Sequence, residues 1–232
     1  MRLGLLSDIH GNAEALAVVL AAARAEGVER ILFAGDAVGY YYEPARCLAL
    51  LSEWPMTPVR GNHEDMLQGV IAQPSLADGI HQRYGSGLAT ALKTLTPAQL
   101  AELTAWPVQR QLDIEGSSIL LCHGAPWDTN QYVYPDASEE LLARCRVDGC
   151  DFVVMGHTHY RFSVQAGATR LLNPGSVGQP RDRRPGAAWG LLDTASGDYQ
   201  QRTELYDTER VARQARSIDP HLPYLWEVLT RQ

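Results

Sequence analysis

The sequence contains only four cysteines among its 232 residues, and no two of them form a Cys-x-x-Cys pair. This absence excludes the common zinc-knuckle and thioredoxin motifs. Three of the four lie in or beside apolar runs, where a reduced cysteine packs as a small hydrophobic side chain. We therefore expect free thiols and a reducing, cytoplasmic location.

Long hydrophobic runs and an excess of positive charge are also missing. No stretch reaches the roughly 18 apolar residues of a membrane span, and the N-terminal run is too short for a signal peptide. A formal net charge of −7 argues against an extended nucleic-acid surface. One local basic spot exists at Arg181, Arg183 and Arg184. It is either a solvated loop or a substrate contact, and the sequence leaves that choice open.

Apolar residues make up 45% of the chain, which is ordinary for a globular protein with a substantial core. The first part of the chain alternates short apolar runs with helical patterns. This alternation predicts a parallel α/β sheet covered by helices. The predicted strands are 3–6, 31–34 and 56–59, and the predicted helices are 13–26 and 43–54. No repeat or low-complexity linker interrupts residues 1–232, so we expect a single domain.

The second half of the chain has a different pattern. Residues from about 64 to 110 predict a helical excursion near the site. Strand signals return at 119–122 and 152–155, with a helix at 139–146 between them. Four further strands and two C-terminal helices are predicted after residue 160, the last helix beginning at Pro220. The segment 220–232 could be core or a dimer face, so a homo-oligomer stays open.

Five of the seven histidines lie in short motifs that also contain Asp, Asn or Gly, and a further Gly-Asp motif lacks histidine. Each motif directly follows an apolar run. Because loops at the carboxyl ends of strands form the ligand crevice of an open α/β sheet, we expect these side chains to converge. The motifs are Ser7-Asp8-Ile9-His10-Gly11, Gly35-Asp36, Arg60-Gly61-Asn62-His63-Glu64, Cys122-His123-Gly124 and Gly156-His157-Thr158-His159.

The converging side chains are carboxylates, imidazoles and one carboxamide. Mixed nitrogen and oxygen ligands without thiolate suit Mn²⁺, Fe²⁺, Zn²⁺ or Co²⁺. Strand alternation should turn Cys122 away from the site. The ligands are too many for one tetrahedral ion and predict two ions about 3.5–4 Å apart that share a bridging carboxylate. Such a pair clamps a phosphoryl group and lowers the pKa of a bridging water, whose hydroxide attacks phosphorus in line.

The motifs resemble those of the calcineurin-like metallophosphoesterases. The family pattern is Asp-x-His, Gly-Asp, Gly-Asn-His-Glu/Asp, His-Gly and Gly-His-x-His, and it is complete and in order between residues 8 and 159. The stretch Asn173-Pro174-Gly175-Ser176 also resembles the small prokaryotic, phosphodiesterase-like branch. The resemblance implies a four-layer αββα sandwich of two mixed β-sheets flanked by helices.

The resemblance also implies the ligands of two divalent metal ions. One ion would be bound by Asp8, His10, Asp36 and His159. The second would be bound by the bridging Asp36 together with Asn62, His123 and His157. Mn²⁺ is the metal we expect first, with Fe, Zn²⁺, Co²⁺ and Ni²⁺ as alternatives.

The catalytic residues that the resemblance implies are His63, Asp36 and Arg60. His63 would be a non-ligand histidine that protonates the leaving oxygen or stabilises the phosphorane, with Asp36, Glu64 or Asp65 as its orienting partner. We expect Glu64 itself to cap or support the loop.

Arg60 precedes Gly-Asn-His, as does the phosphate-binding arginine of protein Ser/Thr phosphatases and diadenosine tetraphosphate hydrolases. Their second motif, Gly-Asp-x-x-x-Arg-Gly, is absent. This chain has Gly35-Asp36-Ala37-Val38-Gly39-Tyr40 instead, which disfavours a simple phosphoprotein phosphatase.

We therefore expect a metal-dependent phosphodiesterase for nucleotide-like or other small organic phosphoesters. The aromatics near the motifs either stack on a nucleobase or pack the cleft wall. The alternatives are a phosphomonoesterase, a diadenosine tetraphosphatase-like activity, a non-catalytic binding scaffold and a non-phosphate metallohydrolase. The aromatics in question are Tyr40, Tyr41, Tyr42, Trp127, Tyr132 and Tyr134.

Overall fold

The computed structural model describes residues 1–231, and its strands form two mixed five-stranded sheets. In chain order the strands are β1 (Arg2–Leu6), β2 (Arg30–Phe33), β3 (Met56–Pro58), β4 (Gln109–Ile114), β5 (Ser117–Cys122), β6 (Phe152–Val154), β7 (Phe162–Ala166), β8 (Thr169–Asn173), β9 (Ala187–Asp193) and β10 (Asp198–Glu204).

Each sheet contains three adjacent parallel strands. The first sheet has the order β10-β9-β1-β2-β3, with β1, β2 and β3 parallel. The second has the order β4-β5-β6-β8-β7, with β5, β6 and β8 parallel. Since parallel strands end at the same edge of a sheet, the loops after β1 and β2 lie at one edge of the first sheet, and those after β5 and β6 lie at one edge of the second.

Helices cover the outer faces of both sheets. They are α1 (Ala13–Ala25), α2 (Pro44–Leu51), α3 (Asn62–Ala72), α4 (Ala77–Tyr84), α5 (Gly87–Thr94), α6 (Pro97–Ala105), α7 (Glu139–Arg144), α8 (Thr208–Ile218) and α9 (Tyr224–Glu227). The starts of α1 and α7 follow from capping residues. The Asn12 side chain accepts a hydrogen bond from the Ala15 backbone, and that of Ser138 accepts one from the Leu141 backbone.

Three apolar clusters separate the layers. Leu5 and Leu32 of the first sheet pack against Leu121 and Val154 of the second. A second cluster joins the outer face of the first sheet to α1, α2, α5 and α6. A third joins the outer face of the second sheet to α7 and includes Cys122, which faces away from the site as expected. The predicted αββα sandwich of two mixed sheets is confirmed.

The structure differs from the sequence predictions at β4. The helices of the excursion end at Ala105, and β4 (Gln109–Ile114) pairs antiparallel with β5. Most of the side chains of β4 are exposed and polar. The strand therefore lacks the apolar run that marks the other strands, and it forms because β5 offers backbone partners.

The C-terminal segment also differs from its prediction. The last helix begins at Tyr224 and not at Pro220, because a turn closed by a Leu222 N–H to Asp219 carbonyl hydrogen bond precedes it. Leu225 and Leu229 are buried against Tyr41, so the segment contributes to the core. Gln232 lies outside the described residues. Within residues 1–231 no helix is long and apolar enough to cross a membrane, and all four cysteines are free and buried.

Candidate metal centre

Four loops that follow parallel strands meet at one edge of the sandwich. Asp8 follows β1, Asp36 follows β2, His123 follows β5 and His157 lies shortly after β6. Backbone hydrogen bonds hold the loops together. The Asp8 N–H donates to the Gly35 carbonyl at 3.0 Å, and the loop after β6 bonds to the His123 carbonyl at 2.7 Å. The convergence expected from the motif positions is therefore present.

One half of the cluster contains Asp8, His10 and His159, all of them buried. Asp8 Oδ1 lies 3.3 Å from His159 Nε2 and 3.7 Å from His10 Nε2, and the two Nε2 atoms are 3.1 Å apart. These donor atoms are close enough to share one ion.

The other half contains Asp36, Asn62 and His123, with His157 beside them. His123 Nε2 lies 3.4 Å from Asp36 Oδ2 and 3.0 Å from Asn62 Oδ1. Asp36 Oδ2 is also 3.7 Å from His10 Nε2 in the first half, so this carboxylate faces both halves. His157 Nε2 lies 3.2 Å from the Asn130 carbonyl oxygen, which leaves Nδ1 as the candidate ligand atom of this ring.

Backbone carbonyls fix the tautomers of three imidazoles. Nδ1 of His10, His123 and His159 lies 3.1, 2.6 and 2.6 Å from the carbonyl oxygens of Val38, Ala34 and Gln179, respectively. A carbonyl oxygen only accepts, so each Nδ1 carries a proton, and in the neutral ring Nε2 is the nitrogen left with a lone pair for a metal.

Lone pairs and carboxylates that face one another repel unless a cation lies between them. Asp8 Oδ1 is buried and has no hydrogen-bond partner within residues 1–231. A buried polar atom of this kind is costly when unpartnered. The neutral imidazoles, the carboxylates and the amide oxygen are a donor set suited to divalent first-row metals.

The pKa shifts agree with a site that exchanges protons for a cation. Burial lowers the pKa of His10 well below its usual value. At His123 burial acts in the same direction, but the neighbouring Asp36 carboxylate overcomes it and raises the pKa to about 10. Without a cation, a proton on His123 therefore balances Asp36, and metal binding would release that proton.

The backbone is strained at the same residues. Among residues 1–231, seven residues other than glycine have positive φ, and five of them belong to the expected ligand set. A left-handed conformation costs such a residue about 1–3 kcal/mol and is typical of functional sites. No sequence pattern predicts this strain. The five are Asp8 (55°), His10 (53°), Asp36 (62°), His157 (66°) and His159 (60°).

Glu64 supports the loop that carries Asp36. Its carboxylate accepts hydrogen bonds of 2.8 Å from the backbone N–H groups of Asp36, Ala37 and Gly61. It therefore joins the loop after β2 to the start of α3, as we expected for this residue.

His63 lies beside the cluster with its ring packed among other rings. The ring centroids of His10, Tyr40 and Tyr84 are 4.7, 4.9 and 5.3 Å away, respectively. Nδ1 of His63 has no hydrogen-bond partner within residues 1–231, so the orientation of this imidazole by a carboxylate stays a prediction. Asp36 accepts instead from the His63 backbone N–H at 2.9 Å. Burial lowers the pKa of His63 to about 4, so its ring is neutral near pH 7.

The arginines that the sequence singled out lie in different environments. Arg60 Nε is 2.8 Å from Asp65 Oδ1, and NH1 donates to the Thr104 carbonyl in α6. Arg183 and Arg184 are exposed. Arg181 instead points into the site, where NH2 donates to the Tyr40 hydroxyl at 2.8 Å. The sequence did not decide whether Arg181 contacts substrate, because Tyr40, which accepts its hydrogen bond, lies 141 residues away.

Two clefts border the Asn62–His123 side of the cluster. One has a volume of about 380 Å³ and reaches from His123 to Trp127. The other, of about 470 Å³, lies between Asn62 and the apolar residues Met66, Leu76 and Ile80. Both clefts are open to solvent and both touch Asp65 and Asn130.

The aromatic residues near the motifs fall into two groups. Tyr41 and Tyr42 are buried in the core formed with the C-terminal helices, so they pack away from the two clefts. Tyr132 is 44% exposed, and its ring stacks on His157 with a centroid distance of 4.1 Å. Trp127 carries the Arg144 guanidinium over its ring at 3.9 Å. Of these four, Tyr132 is the aromatic most open to a substrate.

Gly61 leaves no room for a side chain next to the cluster. An added methyl group would overlap the Asp36 carboxylate and lie 2.8 Å from His123 Cε1. We expect Gly61→Ala to displace Asp36 and weaken metal binding by about 10- to 100-fold, as other disturbances of ligand support do. Isothermal titration of metal-stripped protein with Mn²⁺ measures this change.

Gly79→Ala is the matched control, since nothing lies within 4 Å of a methyl group added at Gly79 in α4. It should leave metal affinity unchanged and stabilise the helix by about 0.5–1 kcal/mol. Equal metal affinities for the two variants would contradict the packing argument at Gly61.

An αββα sandwich with a buried Asp–His cluster at the strand ends is the arrangement of the metallophosphoesterases. The sequence model of the calcineurin-like phosphoesterase superfamily domain matches residues 1–197, and the chain belongs to that superfamily.

Three proteins illustrate what the chain is similar to in sequence and in structure. An uncharacterized protein of Methanocaldococcus jannaschii is 28% identical over 209 residues, which cover 82% of each chain. The crystal structure of a hypothetical protein from Pyrococcus horikoshii superposes with a TM-score of 0.85 at 18% identity, covering 99% of this chain and 98% of that one. A metallophosphoesterase from Sphaerobacter thermophilus superposes with a TM-score of 0.80 at 23% identity, covering 98% and 99%. At these identities the two structures show a shared fold.

Proposed function

We propose that this chain is a phosphoesterase that depends on two divalent metal ions and works as a phosphodiesterase in the cytoplasm. The observation that carries the proposal is the convergence of three imidazole Nε2 atoms on two buried carboxylates. The Asp8 Oδ1 atom among them has no partner of its own within residues 1–231. Such a centre is suited to binding divalent cations, and bound divalent cations attract and polarise the oxygens of a phosphoryl group.

The chain offers a ligand set to each of two ions. Asp8, His10, Asp36 and His159 would hold the first. Asp36, Asn62, His123 and His157 would hold the second. When bound, a pair of divalent ions polarises phosphoryl oxygens and lowers the pKa of a bound water. Mn²⁺ is the first ion to test, and Fe, Zn²⁺, Co²⁺ and Ni²⁺ suit the same donors.

His63 is the residue that we assign to proton transfer. It lies against His10, its backbone N–H bonds to Asp36, and its Nδ1 makes no hydrogen bond within residues 1–231. The ring is therefore close to the cluster and is not engaged by protein acceptors at that atom. We propose that His63 takes up a proton when the anionic phosphoester binds beside it. The resulting imidazolium then gives this proton to the leaving oxygen and returns to the neutral form.

The substrate is proposed to be a small organic phosphodiester, possessing an organic group on each side of phosphorus. Support comes from the two clefts that meet at Asp65 and Asn130, because each can receive one such group. The exposed ring of Tyr132 beside His157 supports a nucleotide-like group, since a base can stack on an aromatic ring.

Turnover by metal-stripped protein after Mn²⁺ is added back tests this function. We expect hydrolysis of bis-p-nitrophenyl phosphate to exceed that of p-nitrophenyl phosphate. The p-nitrophenyl ester of thymidine 5′-monophosphate should have a higher kcat/KM than either. A His63→Ala preparation purified in parallel controls for contaminating phosphatases.

The same assay separates the alternatives. Preference for p-nitrophenyl phosphate would favour a phosphomonoesterase, and selective cleavage of diadenosine tetraphosphate would favour the corresponding hydrolase. No turnover of any of these esters with two metals bound would favour a binding scaffold of the same fold.

A further inference from the structure

Arg181 carries a partly buried positive charge that no carboxylate neutralises. Its Nε and NH2 donate to Gln179 Oε1 at 3.1 and 2.7 Å, and NH2 also donates to the Tyr40 hydroxyl. Both acceptors are neutral, and no ion pair within residues 1–231 includes Arg181. The contrast is Arg161, which binds both Asp182 oxygens at 2.5 and 2.7 Å. A desolvated cation without a counter-ion is costly unless an anion joins it.

The position of this charge is next to the proposed metal ligands. The backbone N–H of Arg181 donates to the His159 carbonyl at 3.3 Å. The Tyr40 ring that accepts from the guanidinium lies 4.5 Å from the His10 ring and 4.9 Å from the His63 ring. An anion that reached Arg181 would therefore also be beside the metal cluster.

The loop holds the guanidinium in a fixed place. Gln179 is fully buried, and its backbone N–H donates to the Ser176 hydroxyl at 2.7 Å. That hydroxyl in turn donates to the Asp8 carbonyl at 2.7 Å. The loop with Arg181 is thus tied to the loop with Asp8. Two of the guanidinium nitrogens are already oriented by Gln179 and Tyr40, while NH1 makes no hydrogen bond within residues 1–231.

We propose that Arg181 binds a non-bridging oxygen of the substrate's phosphoryl group, and that Tyr40 is the residue that positions its guanidinium. This inference rests on the proposed function, because it assigns the phosphate contact of the same site. A guanidinium suits this task since its fixed fork of N–H donors matches phosphate oxygens. Arg60 differs from Arg181 because a carboxylate, that of Asp65, already neutralises its charge, and its NH1 donates to the Thr104 carbonyl.

Inorganic phosphate is the probe, because its binding to the Mn²⁺-loaded protein can be measured by calorimetry without turnover. We expect Arg181→Gln to raise the Kd for phosphate by about 10- to 100-fold, the effect of losing a charge-assisted hydrogen bond. Metal content should be unchanged. Arg184→Gln, on the same loop but exposed, is the matched control and should bind phosphate like wild type. A Kd within twofold of wild type for Arg181→Gln would overturn the assignment.

The positioning role of Tyr40 is tested by a double-mutant cycle. Tyr40→Phe removes only the hydroxyl and should weaken phosphate binding several-fold. The same change should have no effect when Arg181 is already Gln, because the hydroxyl would act through that guanidinium. Equal effects in both backgrounds would contradict the positioning role.

The two proposals fail in different ways. Phosphate binding that depends on Arg181, in a protein that hydrolyses no phosphoester, would overturn the proposed activity and support this assignment. Turnover that is normal in Arg181→Gln, with unchanged KM and phosphate inhibition, would overturn the assignment and leave the activity intact.

Discussion

Replacing His63 with alanine should lower kcat by about 10²- to 10⁴-fold, the usual contribution of a general acid, while two metal ions stay bound. The reason is the location of the ring. It lies against His10 and Tyr40, but the seven proposed ligands account for both ions without it. Steady-state kinetics with bis-p-nitrophenyl phosphate and metal analysis of the same samples measure the two quantities.

His221→Ala is the control for that experiment, because His221 is exposed and lies in no motif. It should keep wild-type kcat and metal content. Near-normal turnover in His63→Ala would contradict a role in proton transfer, and loss of one metal ion in that variant would show that His63 is a metal ligand.

Replacing Asp36 with asparagine should reduce both metal occupancy and turnover. The Asp36 carboxylate lies within 3.7 Å of His10 Nε2 and 3.4 Å of His123 Nε2, so its negative charge is available to both halves of the cluster. Asparagine keeps the shape and the acceptor for the His63 backbone N–H, but it removes the charge that a bridging ligand supplies. We expect fewer than two bound ions per chain and a loss of kcat at least as large as that of His63→Ala.

Metal content after dialysis, measured by inductively coupled plasma mass spectrometry, tests this prediction, with thermal unfolding as a check on the fold. Asp113→Asn, an exposed substitution on β4, should leave both unchanged. Two fully retained ions in a folded Asp36→Asn protein would show that Asp36 does not bridge.

Local patterns predicted helix-covered parallel strands and the convergence of the motifs, whereas the four-layer sandwich of two sheets was implied by the family resemblance. Apolar runs mark β1, β2, β5 and β6, and because parallel strands of one sheet end at one edge, the residues after them were expected to lie together. The strand β4 escaped prediction because its side chains are mostly polar and exposed, and only pairing with β5 defines it.

Other features of the site depend on contacts between distant segments. The residues that flank Arg181 do not indicate that Tyr40 and Gln179 hold its side chain inward. In sequence, Arg181 could not be told apart from the exposed arginines Arg183 and Arg184. The left-handed backbone at Asp8 and Asp36 is imposed by loop-to-loop hydrogen bonds. The packing of His63 against rings likewise depends on Tyr40 and Tyr84 being brought together by the fold.

The most direct test of the dinuclear centre is anomalous diffraction from crystals of the metal-stripped protein soaked in Mn²⁺. Our account predicts two anomalous peaks that share the Asp36 carboxylate. One should be bound by Asp8, His10 and His159, and the other by Asn62, His123 and His157. A single peak in the cluster, or two peaks that do not share Asp36, would contradict it.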